Sequence, residues 1–76
     1  MFKASVITSN NILFEGEAWS VFLAGTAGEF EILEFHKPIV SLLKKGKIII
    51  DWDKEIFIKR GAVRMSGDEL VAVVEE

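Results

Sequence analysis

The sequence predicts a small all-β fold, and two observations lead to this expectation. The apolar residues come in short runs that are separated by turn-forming Gly, Asn, Asp and Ser. Some runs, such as the three isoleucines at 48–50, are apolar on both faces of a strand, which is typical of strands inside a sandwich. No linker, low-complexity tract or internal repeat divides the 76 residues, so we expect one domain spanning 1–76.

The first two predicted strands lie at 2–8 and 12–14. The first run is rich in β-branched residues, and it ends at Ser9-Asn10-Asn11, where Asn tolerates left-handed turn geometry. We expect Gly16 to break the second run, because glycine weakens a strand interior.

The third predicted strand, 18–24, leads into a glycine turn at 25–28. Alternation along it would place Trp19, Val21 and Leu23 on one face. We expect the two glycines to permit a tight turn with positive φ.

Two hairpins are predicted in the second half. Runs at 47–51 and 55–59 flank Trp52-Asp53-Lys54, and runs at 62–65 and 70–74 flank residues 66–69. The segment 38–45, PIVSLLKK, is equally compatible with a helix that has Pro at its first position and with a strand, because short apolar runs have no decisive period.

Composition excludes several functional classes. The net charge is −3, and the only basic run is Lys44-Lys45 with Lys47, so we expect no nucleic-acid partner. There is no Cys to supply a disulfide or a thiolate metal site. No stretch approaches the roughly 20 apolar residues that span a bilayer, and the start at Met1 lacks a signal-peptide layout. We expect a soluble cytosolic protein, whose apolar fraction of 50% hints at a partner surface.

Few side chains are candidates for chemistry. His36 is the only histidine, and no Ser or Thr near it forms a recognisable nucleophile motif, so we expect a loop imidazole or an interface contact. Asp51, Asp53 and Glu55 alternate and could hold a hard cation, but a solvated hairpin tip explains them better. The two tryptophans and six phenylalanines are interpreted as core residues or interface anchors, because no basic groove accompanies them.

One segment carries a family resemblance. Residues 25–38 read GTAGEFEILEFHKP, with two glycines three residues apart and with His36 two residues before the only Pro. This order resembles the signature of the epsilon subunit of F-type ATP synthases (delta in mitochondria), in which a GxxGE turn leads into an apolar strand and then an HxP turn. The likeness runs along the whole chain, through an FEG element at 14–16, the apolar run 39–43 and a glycine-led hairpin from Gly61. It differs at Glu34-Phe35, where the family usually has Pro-Gly.

The resemblance implies a ten-stranded β-sandwich of two packed antiparallel sheets, with 38–45 as a strand. It implies a non-catalytic central-stalk (rotor) subunit that links the gamma shaft to the membrane c-ring and supports the coupling of proton flow to ATP synthesis. It implies no cofactor, no metal and no membrane insertion. The location would be the cytoplasmic side of the bacterial inner membrane, held there through the complex.

The resemblance also implies contact residues. Ala27, Gly28 and Glu29 would contact the c-ring, since glycine allows close approach and a carboxylate can pair with Arg or Lys. We expect His36 to lie close to them in the same contact region.

The gamma-facing surface is expected around Ile39, Val40 and Leu42. Family members commonly continue into an inhibitory two-helix hairpin, whereas this sequence stops at Glu76, so we expect it to support coupling without inhibiting ATP hydrolysis. The alternative is a free-standing β-sandwich module that binds another protein.

Overall fold

The fold consists of nine β-strands. A computed structural model describes residues 1–76. The strands are β1 (Phe2–Ile7), β2 (Ile12–Ala18), β3 (Ser20–Gly25), β4 (Gly28–Leu33), β5 (Ile39–Leu43), β6 (Gly46–Ile50), β7 (Lys54–Ile58), β8 (Arg60–Ser66) and β9 (Glu69–Glu75). The all-β prediction is confirmed, and the ambiguous segment 38–45 contains strand β5. The protein has no helix that could cross a membrane.

The strands form two packed layers that connect through β3. One layer has the order β2-β1-β9-β8-β5, and the other has the order β4-β3-β6-β7. One edge of β3 pairs with β4, while its other edge is shared by β6, at Val21 and Phe22, and by β5, at Gly25. The two layers therefore belong to one branched sheet.

The strand count differs from the expected ten, and one pair is parallel. β1 and β9 pair in parallel, with Ser5 beside Val71, while the other pairs are antiparallel. The sandwich is confirmed, but its ladders are not all antiparallel.

The core lies between the layers and draws on both. Alternate residues of each strand point inward, as the two-residue period of a strand requires. Sixteen buried side chains form one cluster: Phe2, Ala4, Val6, Ala18, Val21, Leu23, Ile32, Leu43, Ile48, Ile50, Ile58, Val63, Met65, Leu70, Ala72 and Val74.

Two local predictions were wrong. Strand β2 continues through Gly16, because this glycine pairs with Ala4 in the ladder with β1. The predicted strand 18–24 is instead interrupted at Trp19, whose side chain is 54% exposed and does not share the core face of Val21.

The connections alternate between two ends of the sandwich. We call one the turn end, because it holds the β3–β4 turn at Thr26-Ala27 together with the β5–β6 turn. The Lys44 N–H of the β5–β6 turn donates to the Ala24 carbonyl in β3 at 2.9 Å. We call the other the aromatic end; there the chain bends at Trp19 and the β6–β7 turn at Asp51 donates to the Ser20 carbonyl at 2.9 Å. β3 and β4 run from one end to the other.

Candidate functional site

The β3–β4 turn is exposed, and the backbone on its two sides approaches closely. Gly25 and Gly28 pair across it, and Ala27, Gly28 and Glu29 are all exposed at the turn end. Gly28 has φ of 138°, a conformation that L side chains rarely adopt. A Cβ on Gly25 would lie 2.7 Å from the Gly28 carbonyl oxygen, so both glycines are required. The structure brings these three predicted contact residues together.

We expect Gly28→Ala to lower the free energy of unfolding by about 1–2 kcal/mol, because Ala is strained at this φ. No atom lies within 4 Å of the position that the alanine Cβ would take, so the cost is in the backbone alone. Urea unfolding measures it. Gly16→Ala is the matched control, since its Cβ would meet only the Phe14 ring at an ordinary 3.6 Å. Equal stability of the two variants would contradict the strained turn.

His36 lies at the other end of β4. Its backbone N–H donates to the Leu33 carbonyl at 3.2 Å, and Leu33 pairs with Ser20 at the aromatic end. The four residue-to-residue steps of extended strand from Glu29 to Leu33 cover about 13 Å. The expectation that His36 shares a contact region with Glu29 was therefore wrong. The His36 Nδ1 instead lies 2.7 Å from the Lys37 carbonyl oxygen.

The predicted gamma-facing residues point in two directions. Val40 and Leu42 are exposed on the outer face of β5, whereas Ile39 packs against the core. Alternation along the strand explains the difference. Only Val40 and Leu42 are available to a partner without rearrangement.

An apolar surface extends from these two residues across the outer face of their layer. Strand register places Leu42 beside Ala62, Ala62 beside Val73, Val73 beside Ile7, and Ile7 beside Ile12. Four steps between strands give this row a length of about 19 Å. We call this row, together with Val40 and Val71, which lie on either side of the exposed Arg64 in the next register row, the apolar band.

The apolar band is open to solvent. Four of its side chains, Ile12, Val40, Leu42 and Val73, are between 52% and 76% exposed. A groove of about 560 Å³ lies at the β5, β8 and β9 part of the band, and its lining includes Leu42, Ala62 and Val73 as well as the Arg60–Glu75 ion pair at 3.1 Å. Contiguous exposed apolar surface of this kind marks an interaction site.

The three alternating carboxylates do not share a face. Asp51 and Asp53 lie in the β6–β7 turn, and only Glu55 is on a strand, where it pairs with Lys47 at 3.4 Å. No group of three or more His, Cys, Asp or Glu side chains could hold a metal ion. Asp51 Oδ1 instead accepts hydrogen bonds from the backbone N–H of Trp19 at 2.6 Å and of Ser20 at 3.2 Å.

Most aromatic side chains outside the core are at one end. Phe2 is buried and Phe14 and Phe30 pack against the core. The exposed large apolar residues at the aromatic end are Met1, Trp19, Leu33, Phe35 and Trp52. The tryptophans are therefore not core residues.

A comparison with protein families identifies the chain. Residues 1–76 match the family model described as ATP synthase, Delta/Epsilon chain, beta-sandwich domain. The chain belongs to this family. Its members are a structural stalk subunit rather than the catalytic chain.

Curated relatives carry the name ATP synthase epsilon chain. The protein from Sulfurimonas denitrificans is 34% identical over 79 residues, which cover 96% of this chain and 59% of the relative. The protein from Nitratiruptor sp. is 39% identical over 77 residues, covering 96% and 60%. The protein from Chlorobium limicola is 32% identical over 79 residues, covering 99% and 90%. The chain thus spans about three fifths of some relatives and nearly all of another.

Solved structures share the fold. A chain of the Tetrahymena thermophila mitochondrial ATP synthase central stalk and c-ring superposes with a TM-score of 0.82 at 11% identity, covering 97% of this chain and 63% of that one. A chain of the Euglena gracilis mitochondrial ATP synthase gives 0.84 at 15% identity, covering 96% and 49%. At these identities the likeness concerns the fold alone.

Proposed function

We propose that this chain is a central-stalk subunit of a proton-driven F-type ATP synthase, which joins a gamma-type shaft to the membrane c-ring on the cytoplasmic side of a bacterial inner membrane. The observation that carries the proposal is the apolar band, exposed on a domain of the delta/epsilon family. A free protein of this size rarely leaves such a surface uncovered. The names of the relatives and the stalk structures indicate what kind of complex would cover it.

The two exposed sites would take different partners. The apolar band, with Val40 and Leu42 at one side, suits the shaft, because apolar contact over about 19 Å gives a firm junction. The β3–β4 turn suits the polar loops of the ring, because its glycine backbone permits close approach and Glu29 offers a carboxylate to Arg or Lys. No bond chemistry is involved, and the role is to transmit torque without slip.

We expect Glu29→Lys to weaken coupling while leaving the fold unchanged. Glu29 is exposed and makes no ion pair within the protein, so its loss costs little stability. The measurement is the ratio of protons pumped to ATP hydrolysed in the assembled enzyme, alongside thermal unfolding of the free variant. Glu69→Lys, an identical change at the aromatic end, is the control. Unaltered proton pumping in Glu29→Lys would remove this residue from the ring contact.

Reconstitution tests the function as a whole. An ATP synthase depleted of its epsilon chain is expected to regain proton pumping when the 76-residue protein is added. These residues contain no helical hairpin, so we propose that they restore coupling without inhibiting ATP hydrolysis. Strong inhibition of hydrolysis, or no recovery of pumping, would count against the proposal.

A further inference from the structure

The strand that follows the β3–β4 turn has limited support. β4 is bonded along one edge only, to β3, whereas β3 is bonded along both. On the inner face of β4, Phe30 and Ile32 pack into the core. On the outer face, Glu31 lies opposite Phe22. Directly after β4, the Met1 ammonium pairs with Glu34 at 2.9 Å, and within the strand a further restraint acts through the outer face.

Glu31 is bonded from two other segments. Its Oε2 accepts a hydrogen bond from Trp52 Nε1 at 3.1 Å and another from the Ser20 hydroxyl. Ser20 is buried, with 1% of its surface exposed, although it points away from the core cluster. Trp52 lies in the β6–β7 turn, and β3 lies between β6 and β4 in this layer. The Trp52–Glu31 hydrogen bond therefore crosses β3 and links the β6–β7 turn to β4.

The turn that carries Trp52 is itself fixed to β3. Asp51 donates its N–H to the Ser20 carbonyl and accepts the N–H groups of Trp19 and Ser20 on its carboxylate. Asp51 and Trp52 have φ of 52° and 65°, and this left-handed conformation is rare for a side chain as bulky as Trp. It persists where surrounding contacts enforce it. Here these contacts direct the indole toward Glu31.

We infer that Trp52 and Glu31 are positioning residues, which brace β4 and hold the β3–β4 turn rigid for its partner. The inference rests on the proposed function, because it takes Glu29 and its neighbours as the partner-facing residues. Glu29 and Glu31 project from the same face of β4, about 7 Å apart along the strand. The brace engages Glu31 and leaves Glu29 free. A force on the β3–β4 turn is then transmitted to β6 as well as to the β3–β4 hairpin.

Hydrogen exchange of the free protein tests the brace. Trp52→Phe keeps an aromatic ring and removes the N–H donor. We expect the β4 amides that bond to β3 to exchange about tenfold faster, while amides between β8 and β9 are unchanged, because one hydrogen bond to a carboxylate is lost locally. Trp19→Phe is the matched control, since the Trp19 indole makes no hydrogen bond. Unchanged β4 exchange, or equal acceleration in β8 and β9, overturns the brace.

Glu31 variants separate hydrogen bonding from bulk. Glu31→Gln keeps an acceptor oxygen and is expected to exchange like the wild type. Glu31→Met has a similar size without an acceptor, so it removes the Ser20 hydrogen bond as well and is expected to accelerate β4 exchange at least as much as Trp52→Phe. If both Glu31 variants exchange alike, the hydrogen bond is not what restrains β4, and the inference fails.

The proton-to-ATP ratio of the assembled enzyme distinguishes the positioning role of Trp52 and Glu31 from the proposed ring contact of the turn. In the assembled enzyme we expect Trp52→Phe and Glu31→Met to lower the proton-to-ATP ratio about twofold, with Trp19→Phe and Glu31→Gln at the wild-type value. If Glu29→Lys lowers the ratio and the brace variants do not, the positioning role is overturned while the ring contact stands. If Glu29→Lys, Trp52→Phe and Glu31→Met all leave the ratio unchanged, both the ring contact of this turn and the positioning role are overturned.

Discussion

Replacing Leu23 with Ala is expected to lower the free energy of unfolding by about 3–5 kcal/mol. Leu23 is fully buried in β3, the strand that connects both layers, so the cavity left behind has neighbours on two sides that cannot close it. A chain of this length has a total stability of about 4–11 kcal/mol, so the loss is a large part of it. Thermal unfolding should show a Tm lower by roughly 12 °C or more.

Leu42→Ala is the matched control for Leu23. It removes the same atoms from an exposed position on β5, so we expect a change within about 0.5 kcal/mol. Urea unfolding of both variants, with equal slopes, makes the comparison direct. A Leu23→Ala variant no less stable than Leu42→Ala would mean that the core is not organised around β3.

The second large effect is expected from a charge in the apolar band. Leu42→Glu should weaken binding to a gamma subunit about 100-fold, because it replaces an apolar contact by a carboxylate that must lose its water on association, even with Arg60 and Arg64 diagonally across on β8. The fold should be unaffected, since the Leu42 side chain is exposed in the free protein. Titration of gamma with the variant, with thermal unfolding alongside, measures both.

Leu33→Glu provides the control for the band. Leu33 is also exposed on a strand, but it lies on the outer face of the other layer, beyond the apolar band. We expect the affinity of the Leu33→Glu variant for gamma to equal that of the wild type. Equal loss of affinity in both variants would indicate a general effect of charge rather than a docking surface.

The strands were largely predictable from the sequence because turn residues separate short apolar runs. The hairpins 47–59 and 62–74 were placed within two residues of β6–β7 and β8–β9. The break expected at Gly16 did not occur, because pairing with β1 compensates for the missing side chain. The parallel pairing of β1 and β9 joins the two ends of the chain, and no local pattern signals it.

The candidate sites were only partly predictable. Val40 and Leu42 were found from the run 39–43, but Ala62, Val73 and Ile7 join them only through strand register. The alternating direction of side chains within 70–74 could have placed Val73 on the outer face, but those residues are apolar on both faces, so the pattern does not tell the two faces apart. The full extent of the apolar band therefore required the structure.

Separation along the chain did not predict spatial proximity for two pairs of residues. His36 is seven residues from Glu29, but an extended strand carries those residues to opposite ends of the sandwich. Trp52 and Glu31 are 21 residues apart and share a hydrogen bond, which rests on the left-handed turn at Asp51 and Trp52. Nothing in the order of the residues predicts that a Trp adopts this conformation.

The stalk role is tested by native mass spectrometry of the protein mixed with a gamma subunit from an ATP synthase of its own source. We expect a 1:1 complex that forms with the wild type and with Leu33→Glu and that is lost with Leu42→Glu. A folded wild-type protein that forms no complex with gamma would contradict the stalk role and leave a free-standing β-sandwich module in its place.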